Sequence, residues 1–158
     1  MLFWQRKVRF DMEYKVMTMA EYDKVWDLWM SCKNMGFNNV DDSREGIDKY
    51  LKRNPNTSFV AVEGDRVAGV ILTGHDGRRG FIHHMAVAED MRGQGIATEL
   101  LNRALTALKE EEGITKVACL VFKYNEVGNA FWESQGFTVR EDLNYRNRAL
   151  VEMVRIDT

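Results

Sequence analysis

The stretch "VAEDMRGQGIATELLNRAL", from Val87 to Leu105, decides how the chain is interpreted, because a strand-like run ends there and a periodic helix begins. Two glycines, Gly93 and Gly95, stand at the junction. Apolar residues then recur at helical spacing up to Leu108, which predicts a helix that ends near Glu112. A helix N-terminus presents unpaired backbone N–H groups and a partial positive charge, and glycines let a ligand approach them closely. The junction therefore predicts a phosphate-binding site.

The common nucleotide-binding motifs account poorly for this junction. The phosphate loop of nucleotide triphosphatases needs a Lys-Ser or Lys-Thr pair, and the sequence contains neither. A dinucleotide-binding fingerprint is disfavoured because Ala88 to Arg92 separate the glycines from the strand and Thr98 occupies the place of the third glycine. Taken alone, the glycines are also compatible with a helix whose first turn needs them only for packing.

The composition indicates one compact domain without a polyanionic partner. The 158 residues are enough to bury one sizeable core, and 22 basic against 24 acidic residues create no field that would attract nucleic acid or an anionic membrane. Cys32 and Cys119 are far apart and suit reduced thiols. Neither a membrane-spanning run nor a signal peptide is evident. We expect a cytoplasmic protein with a single domain over residues 12–158, and interpret residues 1–11 as a disordered extension, an extra strand or an upstream start.

The first half of the chain has an antiparallel pattern. A strand at "EYKVM" is followed by "TMAE", a capping box that starts a helix ending near Asn34. Either Asp42 or Ser43 can cap a second helix that stops before Pro55. The segment "TSFVAVEGDRVAGVILTG" predicts a hairpin, and the turn "GHDGRRG" leads into the strand "FIHHMAV".

The second half adds a parallel pair. The glycine-started helix connects "FIHHMAV" to the buried strand "ITKVACLVF", and a crossover of this length makes the two strands parallel. "GNAFWESQGF" predicts a short helix ended by Gly136, and "FTVR" with "ALVEMVRI" predicts a final hairpin that completes the sheet. The expected fold class is α/β, with a mixed, mostly antiparallel sheet, one central parallel strand pair and helices on both faces.

Two blocks of sequence resemble the GNAT family of acyl-CoA N-acetyltransferases. "MRGQGIA" matches the signature Arg/Gln-x-x-Gly-x-Gly/Ala with Arg92, Gly95 and Ala97. After a further helix and strand, "NEVGNAFWESQGF" resembles the family's second conserved block. The resemblance covers roughly Tyr14 to Ile156 and implies the GNAT fold, in which the two parallel strands splay apart.

The resemblance also implies how acetyl-CoA would be held. The pantetheine arm would lie between the splayed strands, and the pyrophosphate would lie on the glycine junction. No metal is expected. Carried over to this sequence, the coenzyme contacts fall at Met85, Ala86, Val87, Arg92, Gly93, Gln94, Gly95, Ile96, Ala97, Thr98, Asn125, Phe131 and Trp132.

The catalytic residues depart from the family's pattern. The tyrosine that commonly protonates the departing thiolate falls at Trp132, whose indole cannot usefully give up a proton. Tyr124 is the candidate replacement, with Tyr145 as a second option. The glutamate that ribosomal-protein acetyltransferases use as a base falls at Leu120.

A histidine offers a different general base. Strand alternation places Phe81, His83 and Met85 on one face and His84 on the other. Base glutamates of histone and polyamine acetyltransferases fall at Phe81 and His83, which marks this face as the substrate side. We therefore predict that His83 is the base and that His84 is structural. Opposite faces would also prevent the two histidines from chelating one metal ion.

The sequence thus predicts an N-acetyltransferase that moves an acetyl group from acetyl-CoA to a primary amine by direct attack in a ternary complex. A small-molecule amine and a peptide N-terminal amine are both candidate acceptors, and a homodimer is a further option. The alternative, favoured by the missing tyrosine, is a catalytically silent acyl-CoA-binding regulatory module.

Overall fold

The computed structural model describes residues 11–158, so the N-terminal extension lies outside the described residues except for Asp11. The strands are β1 (Met12–Val16), β2 (Gly36–Asn38), β3 (Phe59–Glu63), β4 (Arg66–His75), β5 (Gly80–Val87), β6 (Val117–Cys119) and β7 (Arg155–Asp157). The helices are α1 (Tyr22–Ser31), α2 (Arg44–Arg53), α3 (Ile96–Thr106) and α4 (Glu126–Ser134). Short 3₁₀ turns span Met19–Glu21 and Glu89–Met91, and a π-helical turn over Ala107–Glu111 continues α3.

The main sheet has five strands in the order β1-β3-β4-β5-β6. The pairs from β1 to β5 are antiparallel, whereas β5 and β6 are parallel and are joined through α3. A parallel pair needs such a crossover, because a tight turn can only reverse the chain. The predicted α/β fold class is confirmed.

Alternation along the central strand β4 produces two separate cores. Val70 and Leu72 belong to the core that α1 and α2 cover, while Ile71 belongs to the core that α3 covers. Because successive side chains of a strand point to opposite faces, a strand with apolar residues at consecutive positions must be covered on both sides. No helix within residues 11–158 has both the length and the hydrophobicity to cross a membrane.

Local capping signals define where α1 and α2 begin. Thr18 forms the predicted capping box with Glu21 before α1. Ser43 caps α2 by accepting a hydrogen bond from the Gly46 N–H at 3.0 Å, which leaves the Asp42 side chain for another role. The first helix ends at Ser31, slightly earlier than predicted.

The parallel strands separate soon after they meet. The ladder between β5 and β6 joins Gly80–Ile82 to Val117–Cys119 and goes no further. The predicted strand "ITKVACLVF" is therefore strand-paired only over its middle three residues. The splay opens a gap between the second half of β5 and the chain that follows β6.

The predicted final hairpin is wrong. Residues 137–154 contain no strand, and β7 pairs with β2 in a separate two-stranded ribbon instead of joining the main sheet. Hydrogen bonds hold this end of the chain on the loop before α2: the Val154 N–H donates to Asn39 Oδ1 at 2.6 Å, and the Thr158 N–H donates to the Met35 carbonyl at 2.9 Å. Long-range contacts with this loop outweigh the local hairpin preference.

Candidate active site

A cleft of about 1860 Å³ lies where β5 and β6 separate. One side is formed by the loop before α2 and by α2 itself, and the other by the α3 junction and α4. The predicted coenzyme residues that line it are Met85, Ala86, Val87, Arg92, Gly93, Gly95, Ile96, Ala97, Thr98, Asn125, Phe131 and Trp132. Gln94 is the one predicted coenzyme residue outside this lining, and it is exposed.

The glycine junction leaves open space in front of the helix end. Gly93 and Gly95 have φ of 78° and 80°, a left-handed backbone that disfavours other residues. No atom lies within 4 Å of where a Cβ on either glycine would stand. The first helical bond of α3 runs from the Glu99 N–H to the Gly95 carbonyl, so the preceding N–H groups have no partner within the helix. The junction therefore presents open backbone donors to an anion.

The neighbouring edge of β5 offers main-chain groups to an extended ligand. Met85, Ala86 and Val87 pair with β4 on one side, whereas pairing with β6 on the other side has already ended. The Val87 carbonyl accepts a hydrogen bond from Arg92 Nε at 3.2 Å, which holds this arginine against the strand. The unpaired edge of β5 therefore faces the gap between this strand and the chain beyond β6.

Residues at the start of α4 and along it form another wall of the cleft. Asn125 caps α4, since its Oδ1 accepts a hydrogen bond from the Gly128 N–H at 2.9 Å. The oxygen is therefore engaged in the protein, and the amide nitrogen is the part of this side chain left for a ligand. Trp132 packs edge-on against Phe131 and Phe137, with ring centroids 5.1 and 5.0 Å apart.

A β-bulge brings both histidines of β5 to the same side of the sheet. Leu72 pairs with His84 and Thr73 pairs with Ile82, so His83 is an extra residue in the ladder. The prediction that His83 and His84 lie on opposite faces is wrong, because the extra residue breaks the alternation. The argument that the two histidines cannot bind one metal ion because they face opposite ways is therefore also wrong. Within residues 11–158, no group of three His, Cys, Asp or Glu side chains is arranged to hold a metal ion.

His83 is exposed to the cleft, and aromatic rings of the cleft wall pack against part of its imidazole. Its ring lies edge-on to Tyr50 at 5.2 Å and against Phe81 at 4.8 Å. This partial burial lowers the pKa of His83, and the neighbouring His84 lowers it further, against the opposing effect of Asp42. His83 is therefore neutral near pH 7 and able to accept a proton.

His84 is tied to the loop before α2. Its Nε2 lies 2.6 Å from Asp42 Oδ1, and both side chains are nearly buried. The ring packs against Trp29 and Phe37, with centroids 5.1 and 4.5 Å away. Asp42 is further fixed because its Oδ2 accepts a hydrogen bond from the Asn38 N–H at 2.8 Å. The pair thus fastens the loop before α2 to β5.

Two residues that line the cleft were not identified as such from the sequence. Asp42 looked like a helix cap because it directly precedes Ser43, and no local signal identified its distant partner. Tyr50 looked like an ordinary apolar position of α2, yet its hydroxyl is buried without a hydrogen-bond partner and its ring supports His83. Burial raises the pKa of Tyr50, so its hydroxyl keeps its proton.

The candidate acids differ in position. Tyr124 is 65% exposed, stacks on Phe122 and does not line the cleft, so the fold does not bring it to the predicted site. Tyr145 does line the cleft although it is largely exposed. Cys119 also lines the cleft, and burial raises the pKa of its thiol to about 11. That thiol is therefore protonated and weakly nucleophilic at neutral pH.

Comparisons with known proteins agree with this geometry. The model of the acetyltransferase (GNAT) family matches residues 22–137. An acetyltransferase of Sodalis glossinidius is 28% identical over 141 residues, which is 89% of this chain and 97% of that protein. Ard1 from Thermoplasma volcanium superposes with a TM-score of 0.71 at 18% identity, covering 82% of this chain and 84% of the other. PaiA N-acetyltransferase from Thermoplasma acidophilum, solved with coenzyme A, gives 0.70 at 14% identity, covering 83% and 92%.

Proposed function

Because the chain belongs to the GNAT acetyltransferase family, we propose that it transfers the acetyl group of acetyl-CoA to a primary amine by direct attack in a ternary complex. The observation that carries the proposal is the arrangement of one cleft, which the glycine junction, the open edge of β5 and His83 of the same strand all line.

The coenzyme half needs no dedicated basic side chain. The pyrophosphate is placed at the Gly93–Gly95 junction, where open N–H groups and the helix dipole stabilise negative charge. The pantetheine arm is placed along Met85 to Val87, where it would continue the sheet in the space that β6 vacates. A protein with this fold has been solved in complex with coenzyme A, which supports coenzyme A as the class of ligand.

His83 is assigned as the general base. An acceptor amine must lose a proton before it attacks, and a lysine-like amine needs about 4.6 kcal/mol for this at pH 7, whereas an α-amino group needs only about 1 to 1.5 kcal/mol. His83 is neutral, faces the cleft and is held in orientation by Tyr50 and Phe81. It takes the proton from the ammonium directly or through a water molecule.

Direct attack is favoured over a covalent acyl-enzyme. A covalent route needs an activated nucleophile, and the Cys119 thiol in the cleft has its pKa raised to about 11. Within residues 11–158, the side-chain hydrogen bonds of the histidines go to Gly77 and Asp42 and none reaches Cys119. One step from thioester to amine is therefore the simpler route.

The acceptor side suits a small or peptide N-terminal amine. Asp41 and Glu45 line this side and can attract a cationic amine, whereas the Asp42 carboxylate is already engaged by His84 and the Asn38 N–H. Lys49 and Arg53 from α2 also line this side, and they can attract an anionic group of the same acceptor molecule.

The alternative is a silent acyl-CoA-binding module, which Trp132 favours because it occupies the usual place of the acid. A panel of small amines and short peptides, incubated with acetyl-CoA and assayed for free thiol, separates the two functions. Release of thiol that depends on an amine supports transfer. Tight acetyl-CoA binding without release for any amine would establish the silent module.

A further inference from the structure

Three charged residues of α2 form a row along the wall of the cleft. Glu45, Lys49 and Arg53 are spaced four residues apart, and all three line the cleft. Residues at this spacing are neighbours on one side of a helix. The row therefore begins with an acid at the start of α2 and ends with two cations.

The two cations of the row are held by no carboxylate of the protein. Lys52, which lies outside the cleft lining, pairs with Asp48 at 2.6 Å. Within residues 11–158, neither Lys49 nor Arg53 takes part in an ion pair or a side-chain hydrogen bond. Both side chains are exposed and are therefore available to a ligand in the cleft.

Helix stability does not account for this pair of cations. The helix dipole favours a cation in the last turn, which explains Arg53, but Lys49 precedes that turn. Like charges four residues apart also repel each other and destabilise a helix slightly. An anion bound between the two side chains would remove this repulsion.

The basic end of the row is far from the glycine junction. Asn54, which follows Arg53, accepts a hydrogen bond from the His75 N–H at 3.0 Å. His75 pairs with Gly80 at the start of β5, whereas the glycine junction follows Val87 at the other end of that strand. An extended strand of this length spans about 23 Å. An anion at Arg53 is therefore not the pyrophosphate of the coenzyme.

The acidic side of the same wall lies by the proposed base. Asp41 lines the cleft, and its charge acts to raise the pKa of His83 against the larger effect of burial. Tyr50, which directly follows Lys49, packs edge-on against His83 with ring centroids 5.2 Å apart. A cationic amine attracted by Asp41 is thus close to His83, and the cations of α2 lie next to the same base.

On the basis of the acetyl transfer proposed above, we propose that the acceptor is a small molecule that carries an anionic group, a carboxylate or a phosphate, in addition to its primary amine. Lys49 and Arg53 bind this anionic group while the amine lies at His83. A guanidinium matches two oxygens of a carboxylate or phosphate, and an ammonium adds a compact point charge. The two cations therefore determine the specificity for the acceptor and orient it in the cleft.

Matched acceptors test the need for the anion. Amino acids with a terminal amine, from 4-aminobutanoate to 6-aminohexanoate, are compared with their carboxamides, and 3-aminopropyl phosphate is compared with 3-aminopropanol. Free thiol is measured at saturating acetyl-CoA. The preferred anionic acceptor should have a kcat/KM about tenfold or more above that of its neutral analogue. This advantage should shrink when NaCl is raised from about 50 to about 500 mM, because exposed charges are screened.

A double variant tests the two residues. Lys49→Gln combined with Arg53→Gln should reduce the ratio of kcat/KM between the anionic and the neutral acceptor to about twofold or less. The matched control Lys52→Gln removes a cation of the same helix outside the cleft lining and should keep the wild-type ratio. Since all three side chains are exposed, circular dichroism should find both variants folded.

Calorimetric titration of the same acceptors into the protein saturated with coenzyme A measures their binding without turnover. Tighter binding of the anionic acceptors, lost in the double variant, supports the anion site. Equal affinity and equal kcat/KM for anionic and neutral acceptors, with thiol released from both, would overturn this inference and leave acetyl transfer standing. Thiol release with no amine at all would instead overturn the proposed acetyl transfer, and with it the role of this site in acceptor binding.

Discussion

The two sides of the cleft are built in different ways. The coenzyme side is made of backbone: the turn at Gly93 and Gly95, the first N–H groups of α3 and the free edge of β5. The acceptor side is made of side chains from distant segments, such as His83 and the pair formed by Asp42 and His84. A site made of backbone depends on local conformation, whereas a site made of side chains depends on packing across the fold.

The difference determines which substitutions should damage which function. Changes on the coenzyme side should act on binding through shape and backbone strain. Changes on the acceptor side should act on proton transfer or on the attachment of the loop before α2. Four substitutions, taken from the largest expected effect to the smallest, test this division.

His83→Ala should reduce kcat/KM about 10² to 10⁴-fold at pH 7, because the acceptor loses its base. The loss should shrink as the pH rises toward the pKa of the amine, and it should be smaller for an α-amine than for a lysine-like amine. Since the pKa of His83 is lowered, the acid limb of the wild-type profile should lie below 6.5. Profiles of kcat/KM against pH on two amines measure these effects.

Two controls accompany this prediction. His75→Ala removes a histidine outside the cleft and should leave the profile unchanged. Losses from His83→Ala and His84→Ala that are equal and independent of pH would mean that neither histidine is the base.

His84→Ala should reduce the free energy of unfolding by about 3 kcal/mol, since it leaves the Asp42 carboxylate buried without its partner. Urea unfolding measures the change, and acetyl-CoA affinity should be nearly preserved. The control is Lys52→Ala, which breaks an exposed pair with Asp48 one helical turn away and should cost about 0.3 to 0.5 kcal/mol. Similar costs for the two variants would contradict a structural role for the buried pair.

Gly95→Asp should weaken acetyl-CoA binding at least tenfold, or about 1.4 kcal/mol, because it puts a carboxylate in the open space of the junction. Gly77→Asp is a matched control, since Gly77 also has a left-handed φ and open surroundings but lies outside the cleft lining. Calorimetric titration of both folded variants separates strain from ligand contact. An unchanged dissociation constant for Gly95→Asp would place the pyrophosphate elsewhere.

Trp132→Tyr should leave turnover similar or slightly raised. A thiol leaving group with a pKa near 8.5 is only about 2 kcal/mol from stability as a thiolate at pH 7, so an acid at this position helps little. The ring at this position packs against Phe131 and Phe137, and a tyrosine can retain much of that contact. Steady-state kinetics with acetyl-CoA measure the effect, and a fall of several orders of magnitude with intact binding would assign the indole a direct role.

Sequence alone determined those features that depend on neighbours along the chain. The capping box at Thr18, the cap at Ser43, the hairpin of β3 and β4 and the glycine junction were all predictable, because each depends on a few consecutive residues. The resemblance to an acetyltransferase family added the identity of the phosphate ligand, which remains a proposal for this chain.

Tertiary structure alone decided the features that depend on contacts distant in sequence. The bulge at His83 placed both histidines on one side of the sheet. Asp42 and His84, which are 42 positions apart, form a buried pair. Hydrogen bonds with the loop at Asn39 hold the C-terminal strand apart from the main sheet. Strand alternation and hairpin propensity are weak local preferences, worth less than the packing and hydrogen bonds that a folded chain forms over long range. A bulge residue or a long-range hydrogen-bond partner can therefore override these local preferences, and the local sequence does not reveal either one.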